Sequence, residues 1–375
     1  MKTGQKVAIV YDRINKFGGA ERVLLALHEL WPNAPLYTAV YSPNRAQWAR
    51  VFEIHPSFLQ HVPFAQTHHE WLPWLTPMAF ESFDFGGFDL VISVTSAEAK
   101  NVLTKPGTCH ICYCLTPTRY LWSGYMTYRS IPSVGMPDWF ASRVLQGVGS
   151  TLRRWDRVAS ARPDHYIAIS QKVAERIVSY YGRKPEAVVY PPVDVHFFKP
   201  KAKNRSTGYF LVVSRLVGYK RVDLVIDAFN ELGWPLVIVG DGLDKDRLVK
   251  KARTNVTFVS SNLTDEELAG YYQDCRAFVF GGDEDFGLVA AEAQACGKPV
   301  VAYKNSGMAE IVLPGVTGEL FDDQRPTSLI ATLKKFSNRW YDSDLCYKNA
   351  QRFSVETFRK DMIQTVEMLY NSSKL

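Results

Sequence analysis

Along most of this chain, short runs of β-branched and other apolar residues alternate with longer stretches in which apolar residues recur every three or four positions. KVAIVYD, from Lys6 to Asp12, is followed by FGGAERVLLALHEL, which reads as strand, glycine turn and helix. The alternation continues through FDLVISVTS and HICYCLT, then DHYIAIS and QKVAERIVSYYG, where Ser170 is the expected N-cap and Gly182 the expected C-cap. Both periodicities stop in AVVYPPVDVHFFKPKAKNRSTG, a segment of paired prolines and lysines. They restart with the strand YFLVVSRL, the helix RVDLVIDAFNEL, the strand PLVIVGDG, the helix DKDRLVKKA, the strand VTFVS, the helix DEELAGYYQDC and the strand AFVFGG. The expected fold class is α/β, with two Rossmann-like doubly wound domains facing a central cleft and a ligand at the carboxyl ends of the strands. The boundary is placed within residues 195–207, giving domains over 1–198 and 199–352. A last helix is expected across 353–375, apolar at Phe358, Met362, Val366 and Leu369. A dinucleotide-binding reading is disfavoured, because no strand leads into a GxGxxG turn; Gly240-Asp241-Gly242 continues into Leu-Asp-Lys.

Composition narrows the class without identifying it. A length of 375 residues exceeds one ordinary core and fits two domains. Hydrophobic residues at 46% and charged residues at 22% describe a globular enzyme or binder without low complexity. The net charge of +6 favours anionic ligands or an anionic membrane surface. No apolar stretch reaches bilayer length, so a cytoplasmic location is expected. Six cysteines in so long a chain read as reduced thiols. Cys109, His110, Cys112 and Cys114 cluster, but CHICYC alternates like a buried strand and lacks a second ligand pair, so no metal site is expected there.

The densest candidate chemistry lies in GGDEDFGLVAAEAQACGKPVV, which begins at Gly281. Glu284 and Glu292 are eight residues apart. In one continuous helix they would point roughly 80° apart and lie about two turns from each other, poorly placed to share a ligand. Gly and Asp punctuate the first half, whereas LVAAEAQAC is a strong helix former, so the helix is predicted to start near Phe286 or Gly287. Glu284 then sits in the loop and Glu292 on the helix, with the free N–H groups of the first turn between them. Such a helix start seats a phosphate or a polarised hydroxyl.

These residues, with SRLVGYKRVDLVIDAF, YYGRKPEAVVYPPVD and GGAERV, resemble the large retaining family four of nucleotide-sugar glycosyltransferases, built on the two-domain GT-B architecture. The resemblance covers nearly the whole chain. It implies that Arg215 and Lys220 bind the donor diphosphate, where a guanidinium fork and an ammonium neutralise charge on the leaving group. It implies further that Glu292 takes the ribose hydroxyls, that Glu284 lies beside the transferred sugar, and that the backbone around Phe286, Gly287, Leu288 and Val289 holds the diphosphate. The pair Gly18-Gly19 would let backbone approach the donor phosphate or the acceptor. The base is expected near VTFVSS, where Ser260 stands at a common glycine position. With two cations present and no DxD-like pair in a suitable context, metal independence is expected, with no cofactor beyond the nucleotide sugar. The implied reaction retains anomeric configuration through an oxocarbenium-like transition state, the leaving phosphate taking the acceptor proton.

HICYCLTPTRYLW resembles a subgroup of bacterial cell-surface polysaccharide transferases, many of them mannosyltransferases, in which a histidine stands where this chain has Leu115. Backbone groups, or His110 or Arg119, would have to replace it, or transfer is lost. Thr116, Arg119 and Trp122 remain as acceptor or sugar contacts. GDP-mannose is the donor implied, with a glycan or polyprenyl-diphosphate-linked acceptor and no nucleic acid partner. HHEWLPWLTPMAFESFDF and the pattern from Trp139 to Val158 raise an interfacial membrane contact. There Phe140, Val144, Val148, Leu152 and Trp155 recur at helical spacing beside Arg143, Arg153, Arg154 and Arg157; an internal helix with a basic edge is the equal alternative. A non-catalytic sugar-nucleotide binder and a sugar-nucleotide epimerase are the rival functions.

Overall fold

The computed structural model describes residues 5–68, 72–126, 138–201 and 208–374. The chain divides into two compact units, Met1–Tyr190 with Phe358–Leu375, and Pro191–Thr357. The division thus falls just ahead of the Pro191-Pro192 pair, upstream of the segment 195–207, whose last six residues, 202–207, lie outside the described ones.

The first unit is built on seven parallel strands: β1 (Val7–Tyr11), β2 (Leu36–Thr38), β3 (Ile54–Pro56), β4 (Leu90–Thr95), β5 (Cys109–Cys114), β6 (His165–Ala168) and β7 (Ala187–Val188). Their order across the sheet is β3-β2-β1-β4-β5-β6-β7, so it reverses between β1 and β4. Every residue of β1, β4 and β5 is buried. That explains their mostly apolar runs, in which Ser93 and Thr95 of β4 and His110 of β5 are the polar members, since a parallel sheet is covered on both faces. Helices α1 (Gly19–Leu30), α2 (Leu75–Glu81), α3 (Asp138–Ala159) and α4 (Gln171–Tyr181) accompany the sheet. Ser170 caps α4 by accepting from Val173 N at 3.0 Å, and Gly182 ends it in the left-handed region at φ 68°, as the sequence predicts.

The second unit has six parallel strands, β8 (Phe210–Val213), β9 (Leu236–Val239), β10 (Val256–Val259), β11 (Ala277–Phe280), β12 (Val300–Tyr303) and β13 (Gly318–Phe321), in the order β10-β9-β8-β11-β12-β13. The reversal again follows the first strand, between β8 and β11. The helices here are α5 (Val222–Leu232), α6 (Lys245–Lys251), α7 (Asp265–Asp274), α8 (Leu288–Ala295), α9 (Pro326–Ser337) and α10 (Ser343–Ala350). Phe210, Val212, Ile226, Phe229, Ile238, Val279 and Leu333 form the middle of one core cluster. Thr264 and Glu267 close a reciprocal capping box at the start of α7. The last helix, α11 (Val355–Ser372), buries Phe358, Met362, Val366 and Leu369, and from Phe358 onward it belongs to the first unit. Its Phe358 ring lies edge-on to Tyr113 of β5, with ring centroids 6.1 Å apart.

The membrane-contact expectation meets a sorted helix. On α3, Leu152 is buried and Trp155 half-buried, the Trp155 Nε1 donating to Glu81 Oε1 at 2.8 Å, while Arg143, Arg154 and Arg157 are exposed. The apolar stripe of 148–155 therefore packs inward, and the arginines form the solvent face. The side chains of Phe140 and Val144, and His69, Glu70 and Trp71, lie outside the described residues. Among the described residues, no helix is long and apolar enough to cross a membrane.

Candidate functional site

In doubly wound sheets a ligand lies outside the carboxyl ends of the strands, where the order reverses. The second unit has a cavity of about 250 Å³ at that edge. Its walls are Val213, Ser214 and Arg215 after β8, Val239, Gly240 and Asp241 after β9, Ser261 and Leu263 after β10, Leu268 on α7 and Val289 on α8. Arg215 is exposed, and its Nη2 donates to Tyr219 OH at 2.7 Å. Ser260 is not on this wall. It is exposed at the end of β10, and its Oγ accepts from Asn262 N at 3.1 Å; the next residue, Ser261, takes the wall position.

The predicted bend between the two glutamates is present. Helix α8 starts at Leu288, and its N-cap Gly287 has φ 96°, a left-handed conformation that a side chain strains. A Cβ at 287 would stand 2.3 Å from Met308 Cγ. The loop is pinned from outside: Ser306 Oγ accepts from Glu284 N at 3.0 Å, and Gly307 N donates to Glu284 O at 2.8 Å. Leu288 and Val289 carry first-turn N–H groups that have no partner within a helix. The Phe286 side chain, by contrast, is core, edge-on to Phe353 at 5.2 Å.

Glu284 is buried and ion-paired with Lys220 Nζ. The loops carrying them are in close contact, since a Cβ at Gly282 would lie 2.8 Å from Lys220 O. Glu292 is buried on α8 and accepts from Tyr272 OH at 3.0 Å. Tyr272 lies one helical turn beyond Leu268, and Glu292 three residues beyond Val289, so the pair sits one turn from two wall residues. Arg215 and Val289 thus share the cavity wall, Lys220 and Glu284 pair with each other but are not among its lining residues, and Glu292 lies a turn further along α8.

In the first unit Gly18 and Gly19 open α1, Gly18 as N-cap. Asp12 directly follows β1 and is buried under four donors: Thr95 Oγ1 at 2.9 Å, Ala99 N at 2.8 Å, Ser96 N at 2.6 Å and Ser96 Oγ at 3.0 Å. Trp122 is committed to the protein itself, its Nε1 donating to Asp156 Oδ2 at 2.7 Å and its ring stacked on Tyr180 at 5.2 Å. Asp156 also takes Thr118 Oγ1 at 2.6 Å and forms a buried ion pair of 2.5 Å with Lys100, a network that the sequence reading passed over. Arg119 is half-buried. Thr116 is buried, and its Oγ1 finds no partner among the described residues.

His110 does not replace the histidine missing at Leu115. It lies within β5, fully buried, with Nε2 at 2.8 Å from Ser93 Oγ. Burial, with Arg162 and Arg183 nearby, pushes it down to about 3, so it is a neutral core side chain. A more telling carboxyl is Glu98, just after β4. Burial and the charge of Asp12 raise it to about 7, against the pull of Arg13, Tyr120 and Lys100. Its Oε1 accepts from Tyr120 OH at 2.7 Å. In the sequence, SAEAKN offered one signal, an acid flanked by alanines straight after a buried strand.

Fold and site together define a protein of two doubly wound units, the second with a cavity at the carboxyl ends of its strands. Residues 195–353, nearly the whole of that unit, match the family model described as Glycosyl transferases group 1. The chain is 27% identical over 237 residues to an uncharacterized glycosyltransferase of Methanocaldococcus jannaschii, covering 58% of this chain and 62% of that protein. It is 31% identical over 209 residues to the D-inositol 3-phosphate glycosyltransferase of Streptomyces bingchenggensis, covering 46% of this chain and 45% of that one. The chain therefore spans between about half and three-fifths of these relatives' length. Among solved structures, Anabaena HepE in complex with UDP-glucose superposes with a TM-score of 0.69 at 19% identity, over 96% of this chain and 99% of that one. That likeness shows the GT-B fold.

Proposed function

We infer that this chain is a nucleotide-sugar-dependent glycosyltransferase that moves a sugar from a nucleoside diphosphate donor to a glycan or lipid-linked glycan. One observation carries the reading: Arg215 and the start of α8 share the wall of a cavity at the carboxyl ends of β8, β9 and β10. A guanidinium fork and free helix N–H groups are what a departing diphosphate needs to spread its charge. Lys220 adds a second cation next to it, released to the phosphate when its partner Glu284 turns to the sugar hydroxyls. Glu292 takes the ribose hydroxyls. The departing phosphate collects the acceptor proton, so the transfer retains configuration, requires no protein nucleophile and requires no metal. The match over residues 195–353 supports this reading.

GDP-mannose is the first donor to test and UDP-glucose, the ligand of the similar Anabaena structure, the second. The product is a cell-surface polysaccharide or its lipid-linked precursor, made at the cytoplasmic side of a membrane. The exposed Arg143, Arg154 and Arg157 would meet its anionic lipids. The decisive experiment follows nucleoside diphosphate release from each donor, with and without extracts of polyprenyl-linked glycans. Acceptor-dependent release is expected. Arg215→Ala and Lys220→Ala should each lower it about 30- to 1,000-fold, the loss of two to four kcal/mol of charge stabilisation. Release that ignores the acceptor, or full turnover in both variants, refutes the proposal.

A further inference from the structure

The donor chemistry asks two long, flexible cations to meet one diphosphate, and the loop that carries both also places a tyrosine between them. After β8 the chain passes through Ser214 and Arg215 and makes a single 3₁₀ turn, Gly218–Lys220, before α5. The neighbouring loop braces it: Leu216 N donates to Asp241 O at 2.8 Å, and Asp244 N to Leu216 O at 3.0 Å. A Cβ at Gly242 would stand 2.3 Å from Leu216 O, so the two backbones touch with no side chain between them.

Tyr219 leaves this turn half-buried, four residues beyond Arg215 and next to Lys220. Its hydroxyl accepts from Arg215 Nη2 at 2.7 Å, and its ring lies under Lys220 Nζ, 5.1 Å from the ring centroid. Phe280 at the end of β11 gives the same ammonium a second ring, at 5.8 Å. Arg215 is exposed on the cavity wall, where an unrestrained arginine samples many rotamers and must give them up on binding phosphate. One oxygen acceptor on Nη2 limits that freedom and leaves the other guanidinium N–H groups for phosphate oxygens. A neutral phenol orients the fork without cancelling its charge, as a carboxylate in its place would. A cation over an aromatic face is held weakly, which suits a lysine that must change partners.

We propose that Tyr219 is a positioning residue for the donor diphosphate, its hydroxyl holding the Arg215 fork at the cavity wall and its ring steadying the Lys220 ammonium as that lysine leaves Glu284. This role rests on the donor reading above. Tyr219 acts through the two cations and sets how much order they have before the anion arrives.

The test is binding of GDP and UDP to the full chain, by calorimetry where binding is tight and by ligand-observed NMR where it is weak. Tyr219→Phe should weaken the better-bound nucleotide about three- to tenfold with an unchanged melting curve. Tyr219→Leu should weaken it about ten- to fiftyfold, so that phenylalanine, which keeps the ring, restores part of the loss. In an Arg215→Ala chain, Tyr219→Phe should change binding by less than about twofold, because the hydroxyl has lost the group it orients. An equal loss in both backgrounds means that the hydroxyl acts apart from Arg215 and overturns the role, and so does wild-type binding by Tyr219→Phe; either result leaves the donor site standing. The Tyr219→Phe cycle decides the matter by itself where Tyr219→Leu folds poorly. A wild-type chain that binds neither GDP nor UDP removes the donor site, and the role of Tyr219 with it.

Discussion

Two buried groups in the first unit titrate in opposite senses, and their substitution should tilt its stability in opposite directions with pH. His110 is held down to about 3 in the fold, against 6.5 in the unfolded chain. Its contribution is present above 6.5 and is lost as pH falls. Integrating the linkage gives a loss of about 2 kcal/mol between pH 7 and pH 5. Glu98 is raised to about 7 from 4.5, so its contribution is present below 4.5 and is lost as pH rises. The same integration gives a loss of about 2 kcal/mol between pH 5 and pH 7. As far as these two groups go, the wild type is nearly flat over that window. His110→Gln should leave a protein that loses about 2 kcal/mol on going from pH 5 to pH 7, and Glu98→Gln one that gains about as much. Urea denaturation at pH 5, 6 and 7, followed by far-ultraviolet circular dichroism, measures the slopes. Constant offsets from altered packing, such as the lost Ser93 contact of His110, drop out. Parallel pH profiles for the two variants would refute the assignment of both protonation states.

Gly287→Ala should destabilise by about 2–4 kcal/mol, combining left-handed strain with overpacking against Met308, and should lower donor turnover. Gly107→Ala, at φ 95° with nothing within 4 Å of the added Cβ, should cost only the backbone share of about 1 kcal/mol, so thermal melts of the two separate the terms. Lys100→Met leaves the Asp156 charge buried with two donors, Thr118 and Trp122, and should cost about 3–5 kcal/mol in chemical denaturation. Chelation with EDTA should leave nucleoside diphosphate release unchanged, whereas a drop restored by added magnesium would place a metal in the reaction.

The alternation of apolar runs with helical spacing made the two doubly wound sheets legible, because strands buried on both faces are mostly apolar, with only a few polar members such as Ser93, Thr95 and His110. β2 and β3 escaped it, being edge-side strands of three residues each, too short for any periodicity. The bend ahead of α8 was legible for a local reason: Gly287 in left-handed backbone and a helix-forming run directly behind it. Ser260 and Trp122 show the limit. Whether Ser260 or Ser261 faces the cavity depends on how the chain leaves β10, and Trp122 is claimed by Asp156, 34 residues away. Glu98 gave only the faint signal of an acid between alanines, since the environment that raises it is assembled from the ends of three strands.

The helix α11 gives the chain an awkward birth. The unit that opens the chain is completed by Phe358–Leu375, whose Ser373 hydroxyl reaches His165 Nε2 at 2.7 Å. During synthesis the flank of β5 must therefore wait, bare, while the whole of the other unit is made, an interval of roughly ten to forty seconds at ordinary elongation rates. A nascent chain stalled in that interval would present Tyr113 and its apolar neighbours to any holding chaperone, and loss of α11 from Phe358 onward would prolong that exposure indefinitely.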